Sequence, residues 1–289
     1  MNLTKKLIDG YCELCKPRIV TLVLVTTALG YYMGGRGLHD YYRFFMTMIG
    51  SALVCAGSAA LNHYLEHDSD AIMKRTKNRP IPTGIISANN AMLFGVLLTL
   101  SGVLLLCLEV NLLTAFLSLL TAFLYVLVYT PMKKISWLNT TLGAIPGAIP
   151  PVGGWAAATG EVTIGAWVLF LIMFVWQHPH FYSIAWLFKE DYKQAGFKML
   201  SFEDADGKRL FWHTLVYSMV LIPVSILPTM IGISGGLYLG GALILGFGLL
   251  YFSREFQRLR STKVAHQLLK ASVFYLPALL LLIIIDRSF

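Results

Sequence analysis

Nine apolar stretches, most of them close to 20 residues long, run through the chain and leave it few ways to fold. A helix needs about 20 predominantly apolar residues to cross the hydrocarbon core of a bilayer. Composition agrees, since 56% of the 289 residues are hydrophobic and only 13% are charged. We therefore predict an all-α polytopic membrane protein, with one transmembrane domain over residues 1–289. The predicted spans lie near residues 19–35, 44–66, 90–108, 111–130, 138–158, 164–188, 211–232, 236–252 and 271–286.

The fifth predicted span is the least regular because it contains Pro146, Pro150 and Pro151 and is rich in glycine. Proline removes a backbone donor and bends or breaks a helix. We expect this span to be kinked or broken, which a membrane tolerates only where protein or a cavity covers the freed backbone.

The basic residues fix an orientation for these spans. If the N-terminus is cytoplasmic, all but three of the 23 lysines and arginines fall on the inner side, the exceptions being Arg36, Arg43 and Arg287. This bias follows the positive-inside rule, and it predicts a cytoplasmic N-terminus, an odd number of spans and a C-terminus outside. The net charge of +8 is then explained by topology, so we predict no nucleic-acid partner. No targeting peptide is predicted in the short N-terminus, which favours a bacterial inner membrane.

A dense set of polar residues follows the apolar part of the second span. If that helix continues to residue 70, Asn62, Glu66 and Asp70 fall at i, i+4 and i+8 and share one stripe, whereas Asp68 lies off it. Four cations follow within a few residues, and then two prolines that end any helix. These residues are Lys74, Arg75, Lys77, Arg79, Pro80 and Pro82.

Carboxylates followed at once by cations can hold a divalent metal and a polyanion together. Mg²⁺ takes oxygen ligands and often bridges carboxylates to the phosphates of a substrate, while Arg and Lys neutralise the remaining phosphate oxygens. The alternative is that the basic residues are ordinary surface charges of an inner loop. The stripe itself favours a site, because ionisable groups at the end of a span are costly and usually face a cavity.

A second charged stretch follows the sixth span and lies on the same side of the membrane. It contains Lys189, Glu190, Asp191, Tyr192, Lys193 and Lys198. Two carboxylate clusters approaching from two helices could hold two Mg²⁺ ions on one diphosphate; the alternative is a solvated loop. His178 and His180 lie within the sixth span, where they could bind haem iron, accept a proton, contact a propionate or simply bond to a neighbouring helix. We expect Pro179 to disturb the helix between them.

The first charged segment, with Asn62, Glu66 and Asp70 followed by KRTKNRP (74–80), resembles the first motif of the UbiA-type intramembrane prenyltransferases. Other stretches resemble, more narrowly, the protohaem IX farnesyltransferases, or haem O synthases, within that superfamily. They are KPRI (16–19), YTPMKK (129–134), NTTLGAIPGAIPPVGGW (139–155), WQHPHF (176–181) and KEDYKQAGFKML (189–200). The resemblance therefore covers residues 16–200, and the last third matches mainly by its helix pattern.

The resemblance implies nine helices around a central cavity and a Mg²⁺-dependent reaction. Farnesyl diphosphate would be condensed with haem B to give haem O for terminal oxidases, in the cell inner membrane with the active-site loops on the cytoplasmic side. Whether a haem A synthase or terminal oxidase docks on the protein is left open. Asn62, Glu66 and Asp70 would bind the first Mg²⁺ and Asp191 the second, with Lys74 and Arg75 also catalytic. The implied diphosphate ligands are Lys74, Arg75, Arg79, Lys133, Lys134 and Lys189, and the implied haem contacts are His180, His178 and Trp176.

This chain departs from the resemblance in two places. Many members have Asp at the position of Glu66, whose side chain reaches one methylene further. After Leu200 many members carry a short Pro/Val/Gly stretch, whereas this chain reads SFEDADGKR; the roles of Glu203, Asp204 and Asp206 stay open.

Three other questions remain open at this stage. Tyr64, Tyr129, Tyr182 and Tyr192 are all candidates to shield an allylic cation. A prenyltransferase acting on a quinone precursor is the nearest alternative function. A secondary transporter with broken helices is an alternative of another class.

Overall fold

The computed structural model describes residues 3–203 and 206–287, and its secondary structure is helical throughout that part of the chain. An amphipathic helix comes first, and long apolar helices follow it. The α-helices are α1 Leu3–Leu14, α2 Pro17–Gly34, α3 Tyr41–Ile72, α4 Ala88–Glu109, α5 Leu112–Phe123, α6 Thr130–Ile135, α7 Asn139–Thr159, α8 Ile164–Leu187, α9 Lys189–Gln194, α10 Leu200–Glu203, α11 Lys208–Met230, α12 Gly236–Leu259 and α13 Thr262–Ile285; a π-helix, Leu124–Tyr129, joins α5 to α6.

Each of the nine predicted spans coincides with one long helix or, for the fourth, with the continuous run Leu112–Ile135. In the part of the chain that the structure describes, seven of these are long and apolar enough to cross a membrane. The other two are α2 and α7, which are helical over 18 and 21 residues. The all-α polytopic class is therefore confirmed. The total of nine spans and the orientation of the termini stay predictions.

The fifth span is not broken, because α7 is continuous through Pro146, Pro150 and Pro151; a kink within it stays a prediction. Most of its residues are buried between neighbouring helices, so protein surrounds the backbone that the prolines leave unpaired. Side chains from other helices also bond to its carbonyls: Asn111 Nδ2 lies 2.9 Å from Ala156 O, and Gln177 Nε2 lies 3.2 Å from Ala144 O. α8 likewise continues through Pro179, so this proline does not end the helix; a local disturbance between His178 and His180 stays a prediction.

Close approach of α2 and α7 explains two of the glycines. A Cβ on Gly154 would collide with the Thr27 carbonyl, and one on Gly30 would collide with the Pro151 carbonyl. Since both obstacles are backbone atoms, neither collision can be relieved by rotating a side chain. The glycine-rich composition of this stretch thus serves helix packing.

We expect Gly154→Ala to lower the thermal midpoint in detergent, because forcing α2 and α7 apart costs about 1–3 kcal/mol or more. Gly153→Ala is the matched control. A Cβ at this buried neighbour meets nothing within 4 Å, and alanine is the better helix former. Equal midpoints for the two variants would contradict the close approach.

The largest apolar core lies in the C-terminal half, where α8, α11, α12 and α13 pack together around Tyr238, Leu268 and Leu279. Many large apolar side chains are instead exposed on the outside, for example Leu108, Ile244 and Phe274, as expected of a surface that faces lipid. A small cluster joins α1 to the rest of the protein, since Leu14 packs against Ile81 and Ile86.

The loop between α10 and α11 gives little support for a site. Asp206 pairs with Lys208 at 3.0 Å, and both side chains are exposed. Asp204 lies outside the described residues, as does the side chain of Glu203.

Candidate active site

The predicted polar stripe lies on the C-terminal part of α3, which continues past its apolar region to Ile72. Asn62, Glu66 and Asp70 are 1%, 5% and 0% exposed, so all three point into protein. Asp68, predicted to lie off the stripe, has an 85% exposed side chain. The helical spacing read from the sequence is therefore confirmed.

Each of the three stripe residues is held by a different cation. Lys16 Nζ donates to Asn62 Oδ1 at 2.6 Å. Lys133 Nζ lies 2.7 Å from Glu66 Oε1, and Arg79 Nη1 donates to Asp70 Oδ2 at 2.6 Å. Buried charges are tolerated only when they are paired in this way.

The segment after α3 folds back, which is how Arg79 reaches a residue nine positions earlier. Thr76 Oγ1 donates to the Asp70 carbonyl at 2.9 Å, and successive backbone turns follow from Met73 to Gly84. Arg79 is thereby directed inward, whereas Lys74, Arg75 and Lys77 are exposed. Of the predicted diphosphate ligands in this segment, the structure brings Arg79 to the stripe, while Lys74 lies on the surface.

The second predicted motif lies beside the first. The Arg75 guanidinium lies over the rings of Phe188 and Tyr192, 5.2 and 5.7 Å from their centroids, and Arg75 Nη2 is 3.5 Å from the Tyr192 hydroxyl. Met73 and Phe197 complete an apolar cluster around Tyr192. Contacts between the two charged segments therefore place α9 next to the end of α3.

Asp191 and Lys189 lie in the first turn of α9 and are both partly exposed. Lys189 Nζ lies 4.6 Å from the centre of the Trp186 ring. Within residues 3–203 and 206–287, the Asp191 carboxylate forms no ion pair, and no three His, Cys, Asp or Glu side chains cluster closely enough to share a metal. The two-metal arrangement stays a prediction.

Two adjacent lysines on α6, which follows the π-helix, point in different directions. Lys133 points inward to Glu66 and lies 4.6 Å from the centre of the Tyr129 ring, whereas Lys134 is exposed. A backbone bond of 2.7 Å from Lys198 N to Lys133 O ties this turn to the segment after α9. A π-turn inside a helix is frequent at functional sites.

Two of the four candidate tyrosines lie at this site. Tyr129 is next to Lys133, and Tyr192 is next to Arg75. Tyr64 stacks on His67 on a partly exposed face of α3. Tyr182 is buried among His178, His213 and Tyr217. Tyr129 and Tyr192 are thus the better placed to face a cation formed at the stripe.

The predicted haem contacts on α8 point toward different helices. Trp176 Nε1 donates to the Ser272 carbonyl at 2.8 Å, and the Ser272 hydroxyl lies 2.9 Å from His180 Nδ1. His178 instead stacks on Tyr217 with ring centres 3.6 Å apart, and its Nε2 lies 3.3 Å from Thr141 Oγ1. Trp176 and His180 therefore form one group against α13, and His178 forms another between α7 and α11.

Lys16 and Thr130 are site residues that the sequence did not assign. Thr130 Oγ1 accepts from Asn62 Nδ2 at 3.0 Å and donates to Tyr125 O at 2.8 Å.

Lys16 lies before α2 with a φ of 50°, in the left-handed region that non-glycine residues rarely adopt. Burial, and next the nearby Arg79 and Lys133, lowers the pKa of the Lys16 amine to about 7. An anion bound beside it would stabilise the protonated form. The one signal in the sequence for a role of Lys16 in the site is that a basic residue stands directly before Pro17.

The stripe fits a hard divalent cation. It offers one amide and two carboxylates, which supply the oxygen ligands that Mg²⁺ prefers. Asp70 Oδ1 is buried and has no hydrogen-bond partner in the described part of the chain, so this oxygen has a free lone pair for a metal. The cations around the stripe could at the same time meet an anionic ligand.

The chain resembles a known protein family over most of its length. The model of the UbiA prenyltransferase family matches residues 23–276. The chain is 45% identical over 286 residues to a protoheme IX farnesyltransferase of Solibacter usitatus, covering 96% of this chain and 98% of that protein. It is 39% identical over 292 residues to the same enzyme of Koribacter versatilis, covering 98% and 94%.

Solved structures resemble the fold as a whole. A structure of digeranylgeranylglyceryl phosphate synthase superposes with a TM-score of 0.82 at 18% identity, covering 97% of this chain and 98% of that one. A UbiA homolog from Archaeoglobus fulgidus, bound to DMAPP and Mg²⁺, gives a TM-score of 0.66 at 15% identity, covering 96% and 99%. At these identities the likeness establishes the fold alone.

Proposed function

Because this chain belongs to the UbiA prenyltransferase family, we propose that it transfers the farnesyl group of farnesyl diphosphate to a vinyl group of haem B, forming haem O. The sequence similarity to protoheme IX farnesyltransferases, which extends over almost the whole chain, is the observation that supports this choice of substrates. It argues against the quinone-precursor alternative, and family membership argues against a transporter.

The site has the chemistry that the first step needs. When farnesyl diphosphate ionises, its C–O bond breaks and the electron pair leaves with the diphosphate, so negative charge grows on the leaving group. Mg²⁺ bound through Asn62, Glu66 and Asp70 would supply positive charge there. Each of those three residues already contacts a cation, namely Lys16, Lys133 or Arg79. These cations could bind the phosphate oxygens in a water-poor site.

The farnesyl cation then needs a nucleophile and protection from water. Tyr129 and Tyr192 are the candidate rings to stabilise it. Because Lys133 and Arg75 already lie over one face of these rings, the opposite face would meet the farnesyl cation. A vinyl carbon of haem B bonds to C1 of the farnesyl group, which moves the positive charge to the carbon next to the porphyrin ring. Water adds there and loses a proton, giving a hydroxyethylfarnesyl group, free diphosphate and one proton. The Trp176 and His180 group and the His178 group are the candidate porphyrin contacts.

We infer that this chemistry lies at the cytoplasmic side of a bacterial inner membrane. The loops that carry the first and second motifs follow α3 and α8, and both belong to the side that is rich in lysine and arginine, which the positive-inside rule assigns to the cytoplasm. Farnesyl diphosphate could then enter from the cytoplasm with its charged end at the loops and its tail in the bilayer.

We expect purified protein in detergent to convert haem B and farnesyl diphosphate to haem O only when Mg²⁺ is present. Mass spectrometry of the extracted haem detects the product. EDTA should abolish the reaction, and excess Mg²⁺ should restore it, because the carboxylates alone cannot stabilise the departing diphosphate. Turnover of another prenyl acceptor but not of haem B would leave prenyl transfer standing and refute the proposed substrate. Product formed at the same rate in EDTA would refute the role of the metal.

A further inference from the structure

His63 is a buried histidine that the mechanism above does not use. It follows Asn62 on α3 and is only 2% exposed. Neither ring nitrogen has a hydrogen-bond partner among the described residues. His63 precedes Glu66 by three residues and Asp70 by seven, so helical geometry places it on the face that carries the stripe.

An imidazole buried without partners is costly. A buried donor or acceptor left unsatisfied costs the full desolvation of that group, and each such group in a native structure calls for an explanation. His67, one turn further along, shows the ordinary arrangement: its Nδ1 is 2.6 Å from Tyr64 O, and its Nε2 is 3.3 Å from the Asp68 carboxylate. The next histidine along α3 therefore does not share the isolation of His63.

The surroundings of His63 indicate what would bind to it. His63 shares its face of α3 with Asn62 and Asp70, and these two residues accept hydrogen bonds from Lys16 and Arg79. A ring N–H on the face that carries these two cations could add a third donor to an anion, and phosphate oxygens accept such bonds.

We propose that His63 is a substrate-binding residue, whose ring N–H donates a hydrogen bond to an oxygen of the diphosphate. This inference rests on the proposed function, since it takes the stripe and its cations as the diphosphate site. The proposal accounts for a buried ring that bonds to no described residue, because the substrate would supply its hydrogen-bond partner. A residue with a purely structural role would instead be bonded within the protein.

The test compares His63→Leu, which removes both nitrogens at similar size, with His67→Leu on the exposed face of the same helix. Binding of pyrophosphate in the presence of Mg²⁺ is measured by calorimetry, and Mn²⁺ alone is titrated by electron paramagnetic resonance. We expect His63→Leu to weaken pyrophosphate binding about 10- to 100-fold, the range for a hydrogen bond to a charged group, without weakening Mn²⁺ binding or lowering the thermal midpoint. His63→Gln, which keeps a donor, should recover part of the affinity, and His67→Leu should bind as the wild type does.

Three results would overturn the inference while leaving the proposed function intact. One is unchanged pyrophosphate affinity in His63→Leu. The second is an equal loss of Mn²⁺ affinity, which would make His63 a metal ligand. The third is a lowered thermal midpoint with no recovery in His63→Gln, as expected of a structural residue. Failure of the wild type itself to bind pyrophosphate would refute both the inference and the diphosphate site on which it depends.

Discussion

Replacing Asp70 by asparagine should reduce haem O formation by about 10²–10³-fold, the loss typical of removing one group that stabilises transition-state charge. Asp70 is fully buried, its Oδ2 accepts from Arg79, and its Oδ1 is without a partner in the described part of the chain. Asparagine keeps the shape but removes the negative charge that would hold the metal. The rate is followed by mass spectrometry of haem extracts under saturating farnesyl diphosphate.

Asp68→Asn is the matched control for this prediction. Asp68 lies two residues earlier on the same helix, and its side chain is exposed. The same substitution there should therefore leave the wild-type activity unchanged. Because Asp70→Asn also leaves Arg79 without its anion, its thermal midpoint should fall, and rates are compared well below both midpoints. Equal rates for the two variants would remove Asp70 from the catalytic site.

The main features of the fold could be predicted because they depend on local sequence. Each apolar stretch needs only its own length and composition to be recognised as a span. The stripe of Asn62, Glu66 and Asp70 follows from helical periodicity once α3 is known to continue. The continuity of α7 could not be predicted for the opposite reason: whether prolines break a helix there depends on the neighbours that surround it, and these are distant in sequence.

Much of the site could not be predicted because it is assembled from distant segments. Lys16 reaches Asn62 across 46 positions, and Thr130 reaches it across 68. Neither contact leaves a periodic signal. His178 and His180 likewise contact different helices. His178 stacks on Tyr217 of α11, whereas His180 lies against Ser272 of α13. Spacing along the chain gives no information about those partners.

The contacts of the stripe also explain how carboxylates can be kept at the end of a membrane helix. Glu66 and Asp70 each have one close cation, and Asn62 has a third. Their attraction offsets the cost of taking charge out of water. The same cations could bind an incoming diphosphate while a divalent metal takes their place at the carboxylates, so an arrangement that stabilises the fold would also supply the chemistry. The pairing of Lys133 with Glu66 gives the sharpest way to separate these two roles.

Lys133→Gln should both destabilise the protein and nearly abolish activity. Glu66 is 7% exposed at its side chain and Lys133 is 13% exposed, and removing one partner of a buried pair costs about 3–5 kcal/mol because the other charge stays buried. Lys134→Gln removes the same charge from the exposed neighbour and should change neither the thermal midpoint nor the rate. The two variants also test whether Lys133 points inward and Lys134 points outward.

The double variant Lys133→Gln/Glu66→Gln distinguishes a structural role from a catalytic one. Two neutral amides leave no charge unpaired, so most of the lost stability should return. Activity should stay at least about 100-fold below wild type, because neither the carboxylate for the metal nor the cation for the diphosphate is restored. Recovery of activity together with stability would mean that the pair only holds α3 against α6. Recovery of stability alone would identify Glu66 and Lys133 as groups that act on the substrate.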